Sequence, residues 1–156
     1  MKEFELHHEI LVKASAKKVF EVWTDFEHWP ELYPETYESV KVQREGNRVL
    51  TEEVIKTMAG KQQATIETVL EPPHRYVRYF KDGPMEGSIR TTSLETSNDG
   101  TLVKTHMQVK LGGMVAMLLG DLAEMLFQKN IDKLSQSHAR VAEAEETTTE
   151  SQSSRS

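Results

Sequence analysis

The sequence predicts an α+β fold in which a curved, seven-stranded antiparallel sheet wraps around one long C-terminal helix. Seven segments are predicted as strands, and three of them, residues 3–13, 64–71 and 102–111, alternate apolar and polar residues with a period of two, as half-buried strands do. One long segment near the C-terminal end has helical periodicity instead. Because the sheet must cover its apolar face, and only this segment is long enough to do so, we expect the helix to lie across the sheet.

The first predicted strand covers residues 3–13, and two short helices follow it. The hydroxyl of Ser15 can accept a hydrogen bond from a free amide in the first turn of a helix over residues 16–23. Asp25 can cap the second helix, which Pro34 ends because proline cannot continue a helix. We expect these two helices to close one end of the sheet.

Six further strands are predicted, and turn residues separate them. Glu45-Gly46-Asn47 and Asn98-Asp99-Gly100 are typical of hairpin turns, and Asp82-Gly83-Pro84 also favours a turn. The predicted strands lie near residues 40–42 and at 49–58, 64–71, 75–80, 87–95 and 102–111. Since short links join consecutive strands, we expect an antiparallel meander.

The long helix is predicted from Met114 to Ala144, and it ends the domain, which we place at residues 1–144. Its core-facing stripe is Gly120, Ala123, Phe127, Ile131, Leu134, His138 and Val141. Residues 145–156 are Glu, Thr, Ser, Gln and Arg without an apolar residue, so we predict a disordered polar tail.

The first half of this helix is apolar over most of its circumference, which is more than packing on a sheet requires. In one interpretation this surface lines a ligand cavity or its mouth, where flexible methionines adapt to a ligand. In the other it packs under the short helices or forms a homodimer contact.

Composition excludes several classes of function. A formal net charge of −6 disfavours binding to nucleic acid, and the absence of cysteine excludes disulfides and thiolate metal sites. The histidines lack a ligand spacing along the chain, so we predict no metal site, and no cofactor motif is present. With no apolar run of membrane-spanning length and no signal peptide, we expect a cytoplasmic protein without integral membrane association.

Three separated motifs resemble the START-like (SRPBCC, helix-grip, Bet v 1-like) superfamily, and within it the polyketide cyclase/dehydrase and coenzyme-Q-binding group. They are the segment from Ser15 to Pro34, the turn Asp82-Gly83-Pro84-Met85 with residues 87–90, and the turn 98–101 with the strand and Gly- and Met-rich helix start after it. The family often has an aromatic residue in place of Met85. Over residues 3–142 the resemblance implies a helix-grip fold with an apolar cavity between sheet and helix, and it transfers no catalytic set.

On this fold we predict which residues surround the ligand. The predicted cavity residues are Val42, Ile66, Tyr79, Ile89, Met107, Val109, Leu118, Leu122 and Phe127. The predicted rim residues are Trp29, Tyr33, Met85 and Met114. A simpler account makes Trp23 and Trp29 core anchors that join the short helices to the sheet.

Three polar residues are candidates for chemistry in the cavity: His8, Glu53 and Arg90. His8 lies on the apolar face of the first strand, where it either orients a ligand or is a core histidine with a backbone partner. Whichever of Glu52 and Glu53 faces inward needs a partner such as Arg78 or Arg90, unless all of them lie on a solvated outer face.

These features favour a protein that binds, and carries or senses, a hydrophobic small molecule such as a lipid, a quinone-like or a polycyclic aromatic compound. The alternative is a polyketide cyclase or dehydratase that uses His8, Glu53 and Arg90. A third possibility is a protein-interaction module. A carrier needs a continuous apolar cavity, an enzyme needs convergent polar groups in it, and an interaction module needs an exposed apolar patch.

Overall fold

The computed structural model describes residues 2–154, and the surroundings of side chains are described for residues 2–148. Seven strands form one antiparallel sheet with the strand order β1-β7-β6-β5-β4-β3-β2, which confirms the predicted fold class. The strands are β1 Lys2–Val12, β2 Tyr37–Glu45, β3 Arg48–Thr57, β4 Gly60–Glu71, β5 Arg75–Phe80, β6 Ile89–Ser97 and β7 Gly100–Leu111.

Two short helices follow β1, as predicted: α1 is Ala16–Trp23 and α2 is Trp29–Leu32. The Ser15 hydroxyl accepts a hydrogen bond from the Lys18 amide at 3.2 Å and so caps α1. Asp25 does not cap the short 3-10 turn that precedes α2; its carboxylate instead contacts the imidazole of His28 at 2.7 Å.

The single long C-terminal helix of the prediction is two helices, α3 Gly113–Leu119 and α4 Ala123–Ser154, with a 3-10 turn at Gly120–Leu122 between them. The break occurs at Gly120, whose backbone has φ 54° and ψ −133°. A residue with a β-carbon rarely adopts that conformation, whereas glycine adopts it readily. Gly120 therefore ends α3 instead of lying in the core stripe of one continuous helix.

Helix α4 also continues to Ser154, past the predicted end at Ala144. Its last part lies beside α1, where Glu145 approaches the Lys18 ammonium at 3.7 Å and Glu146 accepts a hydrogen bond from the Ser15 amide at 3.3 Å. Residues 145–154, predicted as a disordered tail, are thus helical, and residues 155–156 lie outside the described part of the chain. Within residues 2–154, no helix is both long and apolar enough to cross a membrane.

The interior contains two groups of buried residues on the concave face of the sheet. We call the first group the closed end; α1, α2 and the second half of α4 contribute to it, and it includes Val19, Phe20, Trp23, Phe26, Trp29, Tyr33, Tyr76, Ala139 and Ala142. The second group lies under α3 and the start of α4, and includes Leu6, Ala64, Ile66, Phe80, Met107, Leu111, Val115, Ala123 and Ile131. The two groups differ in how completely they fill the space between sheet and helix.

Candidate ligand-binding cavity

A cavity of ≈ 600 Å³ lies within the second group, between the concave face of the sheet and helices α3 and α4. Most of its wall is apolar. The apolar wall residues on strands are Ile55, Ala64, Phe80, Met107 and Leu111, and those on helices are Val115, Leu119, Leu126, Phe127, Ile131 and Leu134. Pockets for small ligands typically have volumes of about 300–1,000 Å³ and predominantly apolar walls, so this cavity has a suitable size and lining.

The exposed members of the wall mark where the cavity meets solvent. Glu35 precedes β2, Met58 lies in the turn between β3 and β4, and Lys133 is on α4. The Lys133 ammonium lies 3.9 Å from the Glu35 carboxylate, and both side chains are largely exposed. Such a surface ion pair contributes little to stability, so the Lys133–Glu35 pair can separate with a small increase in free energy.

A buried polar network, which we call the polar partition, crosses the interior at one side of the cavity. It consists of Thr51, Glu53, Thr68 and Arg78, each no more than 1% exposed. The Arg78 guanidinium forms an ion pair with the Glu53 carboxylate and donates from Nε to the Thr68 hydroxyl at 3.2 Å. The Thr51 hydroxyl donates to Glu53 at 2.7 Å. Each charge is therefore paired and hydrogen-bonded, as burial requires.

The polar partition separates the cavity from the closed end. The Arg78 guanidinium carbon lies 4.8 Å from the centre of the Phe26 ring and 5.1 Å from that of the Trp29 ring. Cations are attracted to the faces of aromatic rings at such distances. Arg78 and Glu53 also belong to the cavity wall, so one surface of the network faces the aromatic core and the other faces the cavity.

A second arginine stands beside the first. Arg90 on β6 is the cross-strand neighbour of Arg78 on β5, and it too belongs to the cavity wall. Its Nε atom is buried without a hydrogen-bond partner among the described residues. Because an unmade hydrogen bond of a buried cation is costly, this atom is the part of the wall best placed to gain from a ligand's acceptor group.

Tyr37 is a third polar residue of the wall. Burial, and secondly the nearby negative charge of Glu53, raise the pKa of its hydroxyl to about 12. The hydroxyl is therefore protonated at neutral pH and can donate a hydrogen bond. Tyr37, Arg78 and Arg90 thus present hydrogen-bond donors, next to the Glu53 carboxylate, on a cavity wall that is mostly apolar.

The buried His138 of α4 lies behind this set, in the closed end rather than on the cavity wall. Its Nδ1 shares a 2.5 Å hydrogen bond with the Tyr33 hydroxyl, and its ring lies 4.9 Å from that of Trp23. Burial, followed by the charges of Arg90 and Arg78, lowers the pKa of His138 to about 3. The imidazole is consequently neutral at physiological pH and has a structural partner.

Of the residues predicted from the sequence, five lie on the cavity wall: Glu53, Met85, Arg90, Met107 and Phe127. The question of which glutamate faces inward is answered by the strand pairing, since Glu53 is buried and Glu52 is exposed. The alternative of a solvated outer face for Glu53 and Arg78 is therefore wrong.

The other predicted cavity and rim residues lie elsewhere among the described residues. Trp29 and Tyr33 are buried in the closed end, as the simpler account of the tryptophans predicts, and Val42 packs against the same group. Ile66 and Val109 are fully packed in the core beside the cavity. Tyr79 and Ile89 pair with each other on the outer face of the sheet. Met114, Leu118 and Leu122 are 58–66% exposed, because α3 and the turn after it direct them to solvent.

His8 does not reach the cavity wall either. It is half-buried between β1 and α4, and its Nε2 lies 3.6 Å from the Asp132 carboxylate. Its Nδ1 is buried without a hydrogen-bond partner among the described residues, so the expected backbone partner is also not found. His8 is thus neither a cavity residue nor a satisfied core histidine.

Several wall residues were not among the predicted cavity and rim residues: Tyr37, Ile55, Ala64, Val115 and Leu119. Ile55 could have been found, because side chains alternate along a strand and Ile55 lies two residues after Glu53. Ala64 precedes the predicted cavity residue Ile66 by two positions, and Leu119 belongs to the apolar half of the predicted helix, so both carried a signal of inward direction. Which inward residues line the cavity depends on the position of α3 relative to the sheet.

Comparison with known proteins identifies the family. The chain belongs to the polyketide cyclase/dehydrase and lipid transport family, whose model matches residues 12–135. The predicted membership of the START-like (SRPBCC) superfamily is thereby confirmed. No curated protein matches the chain in a sequence comparison.

Solved structures share the helix-grip fold at low sequence identity. Protein TTHA0849 of Thermus thermophilus is 23% identical with a TM-score of 0.79, over 90% of this chain and 98% of that one. The Zhui aromatase/cyclase of a Streptomyces species is 15% identical with a TM-score of 0.76, over 91% and 94% of the two chains. A START superfamily protein of Mycobacterium smegmatis is 14% identical with a TM-score of 0.73, over 90% and 97%. At these identities the likeness shows the fold alone.

Proposed function

We propose that the protein binds a hydrophobic small molecule that carries an acceptor or anionic oxygen at one end, and that it acts as a carrier or sensor of that molecule. The observation that supports this proposal is the cavity of ≈ 600 Å³, whose wall is mostly apolar and includes the hydrogen-bond donors of Tyr37, Arg78 and Arg90. Family membership supports it, because the family name includes lipid transport.

The apolar wall supplies the affinity in this proposal. Burial of apolar surface stabilises a complex by about 25 cal/mol per Å², so a lipid, quinone-like or polycyclic aromatic body needs no specific chemistry to bind there. Met85, Met107 and Leu119 give the wall flexible, polarisable side chains that adjust to ligands of different shape.

The donors supply the orientation. Arg78 is already paired with Glu53, whereas the Nε atom of Arg90 has no partner among the described residues. A carboxylate, phenolate or carbonyl oxygen placed near Arg90 and Tyr37 would accept hydrogen bonds from both. A purely hydrocarbon ligand would leave these groups unsatisfied, so we expect an oxygen-bearing ligand.

A cyclase or dehydratase, the alternative for this family, would need a group on the wall that exchanges a proton near neutral pH. His8 and His138 are both away from the described wall, Tyr37 has a pKa of about 12, and the carboxylate of Glu53 is held in its ion pair with Arg78. Binding is therefore the better supported function.

The apolar side chains of Met117, Leu118 and Leu122 are exposed, so the interaction-module and homodimer hypotheses remain predictions. Sedimentation velocity tests the homodimer by measuring whether the chain is a monomer or a dimer.

The experiment uses two fluorescent probes with the same aromatic rings, anilinonaphthalene sulfonate and the uncharged N-phenylnaphthylamine. Ile55→Trp fills part of the cavity and should weaken the binding of both probes. Val54→Trp is the matched control, because Val54 is the adjacent residue, is equally half-buried, and points to the opposite face of β3.

Arg90→Met tests the orienting donor. It should weaken binding of the sulfonate probe by about tenfold or more, since hydrogen bonds to charged groups contribute about 1.5–3 kcal/mol, while leaving the uncharged probe unaffected. Circular dichroism would verify the fold of each variant. If the two tryptophan variants and the wild-type protein bind both probes equally, the probes bind at the exposed apolar surface of α3 and the cavity proposal is wrong.

A further inference from the structure

The outer face of the sheet, opposite the cavity, carries a cluster of potential metal ligands. Side chains alternate along β1, so Glu5 and His7 share the face that points away from α4. His106 on β7 is the direct cross-strand partner of His7. Two imidazoles and one carboxylate therefore meet on two adjacent strands, although they are far apart in sequence.

The three side chains lie close enough together to reach one ion after rotation of the rings. The rings of His7 and His106 are stacked with their centres 4.6 Å apart and an angle of 30° between their planes. The Nε2 atom of His106 lies 3.8 Å from Oε1 of Glu5. One ligand atom from each of the three residues lies within 4.8 Å of the other two.

The charge pattern around the cluster is a second observation. Along the outer face of the β1–β7 pair, Glu3 is opposite Lys110 and Glu9 is opposite Lys104. Between these two acid–base pairs, Glu5 is opposite the neutral Gln108 and His7 is opposite His106. The ladder of opposite charges is thus interrupted where the potential metal ligands lie, and the Glu5 carboxylate lies beside an imidazole.

We propose that Glu5, His7 and His106 bind a divalent transition metal ion of the kind that prefers imidazole nitrogen, such as Zn²⁺. Zinc sites with two histidines, one carboxylate and an open position are a known ligand set. With metal–ligand distances of about 2.0–2.2 Å, tetrahedral ligand atoms lie roughly 3.4 Å apart. The observed separations, which are at most 4.8 Å, exceed this by roughly 1.4 Å or less, a difference that rotation of these partly exposed side chains can remove.

The proposed site differs from the metal sites that spacing along a chain reveals, because its ligands come from two strands in register. A bound ion would cross-link β1, an edge strand, to β7. The neighbour of His106 on the inner face is Met107, which belongs to the cavity wall, so the ion would hold the strand behind the cavity in place. It would therefore stabilise the folded state by an amount that increases with the logarithm of the metal concentration once that concentration exceeds the dissociation constant.

The test is a calorimetric titration of tag-free protein with Zn²⁺, together with thermal unfolding with and without the metal. We expect one ion per chain in the wild-type protein and a higher Tm in its presence. His7→Ala and His106→Ala should each weaken binding by about 10–100-fold or more, since even the loss of a residue that only supports a ligand has an effect of that size. Both variants should also lose the metal-dependent rise in Tm.

His74→Ala is the matched control, because His74 is an exposed histidine in the turn between β4 and β5. It should bind Zn²⁺ as the wild-type protein does. Cu²⁺ electron paramagnetic resonance should show coupling to two imidazole nitrogens, reduced to one in either variant. The proposal is wrong if His7→Ala and His106→Ala bind Zn²⁺ as tightly as His74→Ala does, or if light scattering shows that the metal joins two chains.

Discussion

The two ends of the interior share one sheet and one helix, α4, yet one end is filled and the other is open. In the closed end, Phe20, Trp23, Phe26 and Trp29 enter from α1 and the segment after it and fill the space under α4. At the other end the covering element is α3, which contributes Val115 and Leu119 to the wall while Met117 is 83% exposed.

The cavity therefore results from the elements that cover the sheet rather than from the sheet itself. Both ends present alternating inward side chains on the same strands. The closed end receives large aromatic rings, whereas the cavity is bounded by small or flexible side chains such as Ala64 and Met107 and by a helix that breaks at Gly120. The polar partition marks the boundary between the two.

The largest expected effect on stability follows from substitution of a charged residue in the polar partition. Arg78→Met leaves the Glu53 carboxylate buried without its partner, which should decrease the free energy of unfolding by about 3–5 kcal/mol. Urea denaturation measures this change. The double variant Glu53→Leu/Arg78→Met should recover most of the loss, because no unpaired charge remains. Equal stability of Arg78→Met and the double variant would show that water from the cavity hydrates the Glu53 carboxylate and that the partition is not a dry boundary.

A smaller difference should separate equivalent truncations at the two ends. Trp29→Ala removes a ring that is 1% exposed and should cost about 3–5 kcal/mol, since the dense aromatic packing around it leaves a void. Phe127→Ala on the cavity wall removes contacts that are already incomplete, so it should cost clearly less, and it should enlarge the cavity. Similar losses in thermal and urea denaturation would contradict the contrast between a filled and an open end.

The most gradual effect is a dependence on pH that arises in the closed end and accumulates over several pH units. The folded protein holds the pKa of His138 at about 3, whereas the unfolded chain takes up a proton near the ordinary value of 6.5. The unfolded state therefore binds more protons below about pH 6.5, and the free energy of unfolding should decrease as pH falls from there towards 3. The slope from this residue is at most about 1.4 kcal/mol per pH unit.

His138→Gln retains a hydrogen-bonding side chain and removes the titration. Urea denaturation at several pH values between 7 and 4 should give a flatter dependence for this variant than for the wild-type protein. The same slope in both proteins would mean that the acid sensitivity comes from other groups, such as Glu27, whose pKa the hydrogen bond from Arg44 lowers.

The sequence was sufficient to predict seven strands and the meander of the last six, because period-two alternation and turn residues are local signals. The pairing of β1 with β7 joins the two ends of the sheet's chain path and carried no local signal. Gly120 is a residue whose effect the local sequence pattern did not determine. A glycine in an apolar helical pattern is compatible with a weakened helix or with a break, and the positive φ of Gly120 shows that the helix breaks there. The break explains why Leu118 and Leu122, predicted as cavity residues, are exposed. Ile66 and Val109 were predicted as cavity residues but lie in the packed core, because the inward direction of a side chain does not distinguish packed core from cavity wall.

The most direct test of the central claim, that the open end holds a hydrophobic ligand, is native mass spectrometry of gently purified protein with an organic extract analysed in parallel. We predict a complex of one chain with one apolar, oxygen-bearing compound, retained by Val54→Trp and strongly depleted in Ile55→Trp. Wild-type protein that emerges without a compound and forms no complex with either fluorescent probe would contradict the account, as would Ile55→Trp carrying as much compound as Val54→Trp.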